Sequence, residues 1–274
     1  MSVKVSIIIP AYNGAHFIEQ TVRAALRQTY QNWELLVINN ASKDKTGSIL
    51  ANLHQEFNDP RFRIITNPLT LPPCENWNSA LRQAQGEFIK LICADDIPTD
   101  DCVERQVKVL IENPTVVLTT GARTIINEEG KVLFTRRGIR RSGFYTGRDL
   151  VRLCLTSGTN IIGDPVHVMW RRSAMDKVGL FDPETLYASD AEFWLRLLTV
   201  GDGYCDSNAV GFYRIHGNAD SAGQWRATAR SFLQIAQRQV DRGHVKLSGL
   251  EMRIIATKAY LQGIARQLIY HFLG

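Results

Sequence analysis

The sequence predicts an α/β fold: a parallel sheet with helices on both faces, followed by a helical extension. Through the first hundred residues, short apolar runs rich in β-branched residues alternate with segments whose apolar residues recur at helical spacing. Such strand–helix–strand repeats form parallel sheets, because each crossover helix returns the chain to the edge where the previous strand began. From about residue 221, two long helical stretches run to residue 274.

The first hundred residues are predicted to hold four strands and three helices. The first helix is expected to be capped by Asn13, the second to span residues 45–57, and the third to end at Gly86. The predicted strands cover residues 3–9, 34–38, 61–66 and 87–92.

The second half is less regular and is predicted to mix both element types. Helices are expected at residues 148–155 and 190–200, and the chain is expected to divide near residue 220. The expected strands cover residues 115–118, 124–134 (broken by a turn at 128–130) and 210–215.

Composition indicates an ordinary globular chain and excludes several classes. Of 274 residues, 45% are hydrophobic and 22% are charged, and the net charge is +5. No run approaches the ~20 apolar residues of a membrane span, and no signal peptide is expected because the chain enters a strand at once. Five scattered cysteines without a C-x-x-C pair favour a reducing cytoplasm. Dispersed basic residues argue against nucleic acid and suit a small anionic ligand or an anionic membrane surface.

Three polar clusters come directly after predicted strands. They are Tyr12-Asn13, Asn39-Asn40 and Asp95-Asp96. Because ligands of parallel sheets bind at the carboxyl ends of the strands, we expect these clusters to share one rim.

Asp95 and Asp96 are adjacent carboxylates that repel each other unless a cation or hydrogen-bond donors neutralise them. Their hard oxygen ligands suit Mg²⁺ or Mn²⁺, which commonly bridge protein carboxylates to phosphates. The alternative role, a helix cap, fits the nearby Asp100 better.

Two later residues carry alternative interpretations. Asp190 stands at the start of an apolar-periodic helix, where it is either a plain N-cap or a general base, with Glu192 in the first turn. His216, at a strand end, is either a structural histidine or a metal ligand. Signatures of other chemistries are missing from the sequence: there is no G-x-G-x-x-G after the first strand, Walker lysine loop, G-x-S-x-G elbow or H-E-x-x-H.

Over residues 3–221, the chain resembles family 2 glycosyltransferases of the GT-A fold. The matching segments occur in the family's order. They are the opening strand and loop 5–14, the approach 28–35 to the second strand, Ser42, Asp44 and Thr46, residues 75–78 and 86–89, Asp95-Asp96, Ser189-Asp190 with 194–197, and Tyr213-Arg214-Ile215-His216.

The resemblance implies a GT-A-type, Rossmann-like mixed sheet and an inverting transfer from a nucleotide-diphosphate sugar donor. Asp190 would be the base, and Asp96, supported by Asp95 and His216, would hold Mg²⁺ or Mn²⁺. Residues 1–220 would form the catalytic domain, with a nucleotide-binding half (1–100) and an acceptor-side half (101–220), and residues 221–274 a helical extension. The donor would be held by Pro10, Ala11, Tyr12, Asn13, Asn39, Asn40, Ser42 and Asp95.

The chain departs from the family pattern at three places. Asn39-Asn40 replaces two aspartates, Cys93 replaces an aspartate before the acidic pair, and Ser189 replaces an acid beside the implied base. These departures motivate an alternative, a catalytically silent nucleotide-sugar-binding or scaffold protein. A third interpretation, a nucleotidyltransferase, lacks its expected Gly-rich first loop.

The implied acceptor is a glycan or a lipid-linked glycan of bacterial surface polysaccharide, O-antigen, capsule or lipopolysaccharide. Arg171 and Arg172 resemble the family's acceptor-side segment and are expected to meet phosphate. The final stretch, 250–273, carries an apolar side that would pack on the catalytic domain, join a second copy, or touch the inner face of the plasma membrane.

Overall fold

The computed structural model describes residues 2–185, 187–217 and 224–273. These residues form ten strands in one sheet, and nine α-helices cover it. The strands are β1 Val5–Ala11, β2 Trp33–Asn39, β3 Phe62–Thr66, β4 Phe88–Leu91, β5 Ile97–Pro98, β6 Val116–Ile126, β7 Val132–Arg136, β8 Gly143–Tyr145, β9 Met169–Arg171 and β10 Asp202–Arg214. The helices are α1 Ile18–Leu26, α2 Thr46–Phe57, α3 Pro73–Gln83, α4 Cys102–Glu112, α5 Gly147–Ser157, α6 Arg172–Val178, α7 Ser189–Leu197, α8 Trp225–Asp241 and α9 Gly249–Leu273.

The first half of the sheet is parallel, as predicted. Strands β1, β2, β3 and β4 pair in parallel, and β1 and β2 are buried along their whole length, which explains their continuous apolar runs. The second half makes the sheet mixed, because β9 lies antiparallel between β4 and β6. Strand β6 therefore runs in the direction of β4, and β10 pairs with β6 in parallel. The carboxyl ends of β1, β2, β4, β6 and β10 consequently lie at one edge, together with the amino end of β9.

The strands of the second half are longer than predicted. Strand β6 runs unbroken from Val116 to Ile126, where two separate strands were expected. Gly121 allows β6 to pass close to β10, since a Cβ atom there would lie 2.6 Å from Cγ1 of Val210. The predicted turn at 128–130 separates β6 from β7, with Gly130 at φ +84°.

Two predicted helix ends are wrong. Helix α1 begins at Ile18, and Asn13 does not cap it but lies in a left-handed turn at φ +48°. Helix α3 ends at Gln83, before Gly86. Gly86 instead lets the chain pass close to β1: a Cβ atom there would lie 2.4 Å from the backbone nitrogen of Ser6.

The core lies on both faces of the sheet, and the carboxyl-terminal helices belong to it. One hydrophobic cluster includes Trp170 and Trp194 beside Phe232 of α8 and Ile255 of α9. Helices α8 and α9 pack against each other, and α9 also packs against α5. The helical extension therefore covers the face of the sheet next to α7.

Candidate active site

The loops that follow β1 and β2 are tied together at the carboxyl edge. The backbone N–H of Asn13 donates to Oγ of Ser42 at 3.0 Å, and the Asn13 side chain accepts from the N–H of Lys43 at 2.9 Å. The N–H of Ala15 donates to the Asp44 carboxylate at 3.0 Å. Asparagine is among the few residues that adopt a left-handed conformation readily, so Asn13 suits this joint. Tyr12, 49% exposed, projects from the joined loops.

Pro10 and Ala11 lie inside the buried strand β1 and can meet a ligand only through the backbone at its end. The Ala11 carbonyl accepts from the N–H of Asn40 at 2.8 Å. Ala41 follows at φ +51°, a left-handed conformation that costs a non-glycine residue about 1–2 kcal/mol.

The two asparagines after β2 have different surroundings. The Asn39 side chain accepts from the N–H of Ser42 at 3.1 Å. Asn40 is 3% exposed; its oxygen accepts from the N–H of Leu71 and from Asn67, both at 2.9 Å, and its amide donates to the Leu71 carbonyl at 2.8 Å. An aspartate could not make that last donation. Asn40 therefore fixes segment 67–71 to the loop that follows β2.

An acidic cluster follows β4. One ligand atom each from Cys93, Asp95 and Asp96 lies within 4.8 Å of the others. One oxygen of Asp96 accepts from the N–H of Arg214 at 3.1 Å. The other, Oδ2, is buried without a hydrogen-bond partner among the residues that the structure describes. His216 contacts the cluster through Asp95, with Nε2 at 2.9 Å from Oδ2.

This cluster fits a divalent cation. Burial, and then the charge of Asp95, raises the pKa of Asp96 well above its ordinary value, an imbalance that a bound cation reverses. The orphaned Oδ2 of Asp96 is an available hard ligand. Arg214, 1% exposed, clamps the cluster: its Nε donates to the Asp95 carbonyl at 2.9 Å and its Nη2 to Gln20 at 2.9 Å.

Asp190 lies on the second residue of α7, and the helix N-cap is Ala188, so Asp190 is not the N-cap. Its carboxylate accepts from the Asn160 amide at 2.8 Å and from the N–H of Ala191 at 2.7 Å. Burial, and then the charge of Asp164, raises its pKa to about 6. Glu192 is instead paired with Arg196 at 2.7 Å.

Asp164 also lines the cavity beside Asp190, and its sequence context did not indicate this. It precedes β9 and accepts from Nη1 of Arg123 at 3.1 Å. Burial raises its pKa, but Arg123 and then His167 outweigh burial, so the net pKa is lowered. Two carboxylates that line the same cavity therefore have pKa values shifted in opposite directions, Asp164 downward and Asp190 upward. In the sequence, Gly163-Asp164-Pro165 precedes the segment 170–172 that resembles the family's acceptor side, and no role was predicted for Asp164.

A cavity of about 60 Å³ lies beside Asp190, between the sheet and the carboxyl-terminal helices. Asn160, Asp164 and Asp190 line one side, and Trp225 of α8 and Arg266 of α9 line the other. The sequence did not predict that α8 and α9 contribute to the site.

Arg171 and Arg172, expected to meet phosphate, lie at the opposite edge of the sheet. Nε of Arg171 donates to the Val116 carbonyl and Nε of Arg172 to the Gly86 carbonyl, each at 2.7 Å. Because β9 is antiparallel, its carboxyl end lies beside the beginnings of β4 and β6. This expectation is therefore wrong.

The fold and the site together define an α/β protein with a mixed sheet. At the carboxyl edge of this sheet lie a carboxylate cluster that fits a divalent cation and a further carboxylate, Asp190, whose pKa is raised. The chain belongs to glycosyl transferase family 2, whose family profile matches residues 6–179.

Relatives and a solved structure agree with this assignment. The Escherichia coli UDP-Glc:alpha-D-GlcNAc-diphosphoundecaprenol beta-1,3-glucosyltransferase WfgD is 36% identical over 47% of this chain and 49% of its own length. The putative teichuronic acid biosynthesis glycosyltransferase TuaG of Bacillus subtilis is 26% identical over 88% of this chain and 89% of its own length. The mannosyltransferase PcManGT of Pyrobaculum calidifontis, solved with GDP-Man and Mn²⁺, superposes with a TM-score of 0.68 at 18% identity, covering 100% of this chain and 76% of that one.

The structural likeness confirms the predicted GT-A-type fold with helices at the carboxyl end. The chain spans about half of the length of WfgD and 64% of that of a Rickettsia typhi relative. Among the described residues, no helix combines the length and apolarity needed to cross a bilayer.

Proposed function

We propose that the protein is an inverting glycosyltransferase that moves a sugar from a nucleotide-diphosphate donor to an acceptor hydroxyl. The observation that carries the proposal is one shared edge of the sheet. It holds a carboxylate cluster that fits a divalent cation and, separately, Asp190 with a pKa raised to about 6. The second candidate, a silent nucleotide-sugar-binding protein, would need the first feature only.

The donor nucleotide is assigned to the joined loops after β1 and β2. Tyr12 offers an exposed ring to the base, and Asn13, Asn39 and Ser42 fix the loop backbone around it. WfgD is named for a UDP-sugar and PcManGT was solved with a GDP-sugar, so both names support a nucleotide-diphosphate donor without choosing the base.

Asp95 and Asp96, with His216 beside them, would hold Mg²⁺ or Mn²⁺. When bound, such a cation neutralises the negative charge that develops on the departing diphosphate. The chain's own contribution is to keep both carboxylates in position. The N–H of Arg214 donates to the Asp96 carboxylate and its Nε to the main-chain carbonyl of Asp95, and His216 contacts the Asp95 carboxylate.

Asp190 takes the proton of the acceptor hydroxyl as the acceptor oxygen bonds to the anomeric carbon and the bond from that carbon to the diphosphate oxygen breaks. One displacement inverts the anomeric configuration. Asn160 orients the carboxylate, and a pKa near 6 leaves Asp190 ionised at neutral pH yet more basic than an ordinary aspartate.

The proposed acceptor is a glycan or a lipid-linked glycan of bacterial surface polysaccharide, glycosylated at the cytoplasmic face of the membrane. WfgD is named for a diphosphoundecaprenol-linked acceptor and TuaG for teichuronic acid biosynthesis, and both names support this class.

A thermal-shift screen of UDP-, GDP- and dTDP-sugars, each with Mn²⁺ and with EDTA, tests donor binding. Because a ligand that binds only the folded state raises Tm, we expect one nucleotide class to raise it in Mn²⁺ and not in EDTA. The Asp96→Asn variant should lose the shift, whereas the exposed Asp100→Asn variant should keep it. No shift with any donor would contradict the proposal; a shift without turnover would favour the silent binding protein.

A further inference from the structure

The segment that follows α5 brings Asn160 to the Asp190 carboxylate. Nδ2 of Asn160 donates to Oδ2 of Asp190 at 2.8 Å and to the Gly163 carbonyl at 3.0 Å. Oδ1 of Asn160 accepts from the N–H groups of Ile162 and Gly163, each at 3.1 Å. Since the oxygen of an amide only accepts and its nitrogen only donates, these four bonds fix which end of the side chain faces Asp190. Asn160 therefore presents a hydrogen-bond donor to the proposed base.

A buried arginine on β6 ties both ends of the segment 160–164. Nη2 of Arg123 donates to the Asn160 carbonyl at 2.6 Å, and Nη1 donates to the Asp164 carboxylate at 3.1 Å. The Arg123 side chain is only 6% exposed, and a charge is kept at such a position only where it is paired and hydrogen-bonded. One planar guanidinium thus holds the main chain of residue 160 and the side chain of residue 164 together, which a single ammonium group could not do with the same geometry.

Other contacts hold the middle of the segment independently of Arg123. Nε1 of Trp194, on α7, donates to the Gly163 carbonyl at 2.9 Å, and the Thr120 hydroxyl of β6 donates to the Ile162 carbonyl. Gly163 has φ +145°, a conformation that glycine adopts without strain. We therefore expect the segment to keep its overall path when Arg123 is substituted, while residue 160 loses a support.

We propose that Arg123 is a positioning residue of the transfer reaction, which holds the Asn160 amide against the Asp190 carboxylate where that carboxylate lines the cavity. Arg123 acts through residues 160 and 164, both of which line the same cavity. The inference rests on the proposed function, because the position of Asp190 limits the reaction only if Asp190 is the base. A displacement of about 1 Å at a reacting group can cost on the order of 100-fold in rate.

The titration of Asp190 in the whole chain tests the contact without any turnover. It is followed by NMR of ¹³C-labelled aspartate carboxyl groups, and Asp190→Asn identifies the signal. The charged groups that act on Asp190 are Asp164 before β9, Arg123 of β6 and Arg266 of α9. Arg123→Gln removes both the charge and the planar group, whereas Arg123→Lys keeps the charge.

Both variants should raise the pKa of Asp190, by about one unit, because a hydrogen bond to the ionised form of a carboxyl lowers its pKa and the Asn160 bond is weakened. A rise in Arg123→Gln alone would show that only the charge of Arg123 acts on Asp190. That result, or an unchanged pKa in both variants, would overturn the proposal.

Arg171→Gln is the matched control for a general loss of stability. Arg171, on β9, also donates to main-chain carbonyls, with Nε at 2.7 Å from that of Val116 and Nη2 at 3.1 Å from that of Asn113, but at the opposite edge of the sheet. Both glutamine variants should lower Tm, and only Arg123→Gln should raise the pKa of Asp190. The same pKa of Asp190 in both would show that Arg123 only stabilises the fold.

Turnover supplies the second readout, measured as release of the nucleoside diphosphate from the donor class found in the thermal screen. Arg123→Gln should lower kcat by about 10–100-fold and change KM for the donor by less than about threefold, because the donor is assigned to the loops after β1 and β2. The acid limb of its pH profile should move upward by about one pH unit, together with the pKa of Asp190. Arg171→Gln should keep the wild-type kcat and pH profile.

The positioning role and the proposed function fail separately. A raised pKa of Asp190 in both Arg123 variants, with full turnover by Asp190→Asn, would leave the contact standing and reject Asp190 as the base. Loss of turnover in Asp190→Asn, with wild-type turnover and an unchanged pKa of Asp190 in both Arg123 variants, would leave the transferase standing and reject the positioning role.

Discussion

Asp164 and Asp190 show how neighbouring side chains give different pKa values to the same functional group. Arg123 keeps Asp164 ionised, whereas burial and Asp164 itself make Asp190 hold its proton more tightly. A base with a pKa near 6 gives an acid limb in the pH profile of kcat/KM. We expect kcat/KM to fall tenfold per pH unit below about pH 6.

The same pKa makes a prediction about stability. The pKa of Asp190 rises from 3.8 to about 6 on folding, so between these values the folded state binds more protons than the unfolded state. The contribution of Asp190 to the free energy of unfolding of the wild type is therefore present at low pH and is lost as the pH rises through 6. Urea unfolding of Asp190→Asn and wild type should show the variant gaining about 1–3 kcal/mol relative to wild type from pH 4 to pH 7. Parallel pH curves would contradict the assigned pKa.

Cys93 differs from the other cysteines of the chain. It is half-buried beside Asp95 and Asp96, whereas the other four are buried. Cys93 is therefore the cysteine that a small thiol reagent reaches most easily, but burial and the charges of Asp96 and Asp95 raise the pKa of its thiol well above the ordinary value, so the labelling is slow. Mn²⁺ should slow the labelling several-fold further by occupying the adjacent carboxylates. Peptide mass spectrometry measures the rate, and Asp96→Asn should abolish the protection. Equal rates with and without Mn²⁺ would argue against a cation at this cluster.

Site residues differ in how far the sequence could reveal them. The local sequence pattern was enough to single out three carboxylates as candidates. Two of them, Asp95 and Asp96, follow a predicted strand, and the third, Asp190, starts a predicted helix. Asp164 was not predicted as a site residue because its lowered pKa depends on Arg123, which is 41 residues away in the chain. Asn40 resembled a ligand-binding residue, yet its side-chain bonds go to residues 67 and 71, a pairing that only the folded loop creates.

At the scale of elements, the insertion of β9 decides the shape of the site. Three residues long and antiparallel, β9 separates the parallel half from β6 and brings residue 164 to the carboxyl edge. Its single apolar pair, Met169-Trp170, carries too little periodicity to predict a strand. The parallel half was predictable because β1, β2 and β4 are buried on both faces and read as apolar runs.

Gly86 sets the close contact between the α3–β4 connection and β1. In Gly86→Ala the new Cβ atom would meet backbone atoms of residues 4, 5 and 6 at 2.4–2.8 Å, and backbone cannot move aside cheaply. We expect a loss of about 1–3 kcal/mol in the free energy of unfolding by urea titration. Gly249→Ala, with no neighbour within 4 Å, is the control and should change stability by less than about 0.5 kcal/mol. Equal losses of stability in Gly86→Ala and Gly249→Ala would show that the close approach at Gly86 does not determine the stability of the fold.

At the scale of the whole molecule, the carboxyl-terminal helices do two things. They share the hydrophobic cluster that contains Trp170 and Trp194, and they close the cavity beside Asp190 with Trp225 and Arg266. The sequence predicted the helices but not their position, because their buried faces become distinguishable only once the partner surface exists.

Helix α9 also leaves an apolar row exposed: Leu250, Ile254, Leu261, Ile264 and Leu268. The spacing of four, seven, three and four residues is that of a coiled-coil seam, and Glu251, Arg253 and Lys258 beside it carry both signs of charge. We expect a second copy of the chain to cover this row. Light scattering should give a dimer for wild type and a monomer for Leu261→Asp. The substitution Thr257→Asp, at a neighbouring residue, should weaken the dimer less. A wild-type monomer that sediments with anionic vesicles would assign the row to a membrane instead.

Turnover by Asp190→Asn tests the central claim most directly. Release of the nucleoside diphosphate from the donor class found in the thermal screen is measured with Mn²⁺ and an acceptor, for wild type and variant. We expect a metal-dependent wild-type rate and a variant rate lower by about 10²–10⁴-fold, with the donor-induced shift in Tm retained. Full turnover by the variant would contradict the assignment of Asp190 as the base of a glycosyl transfer.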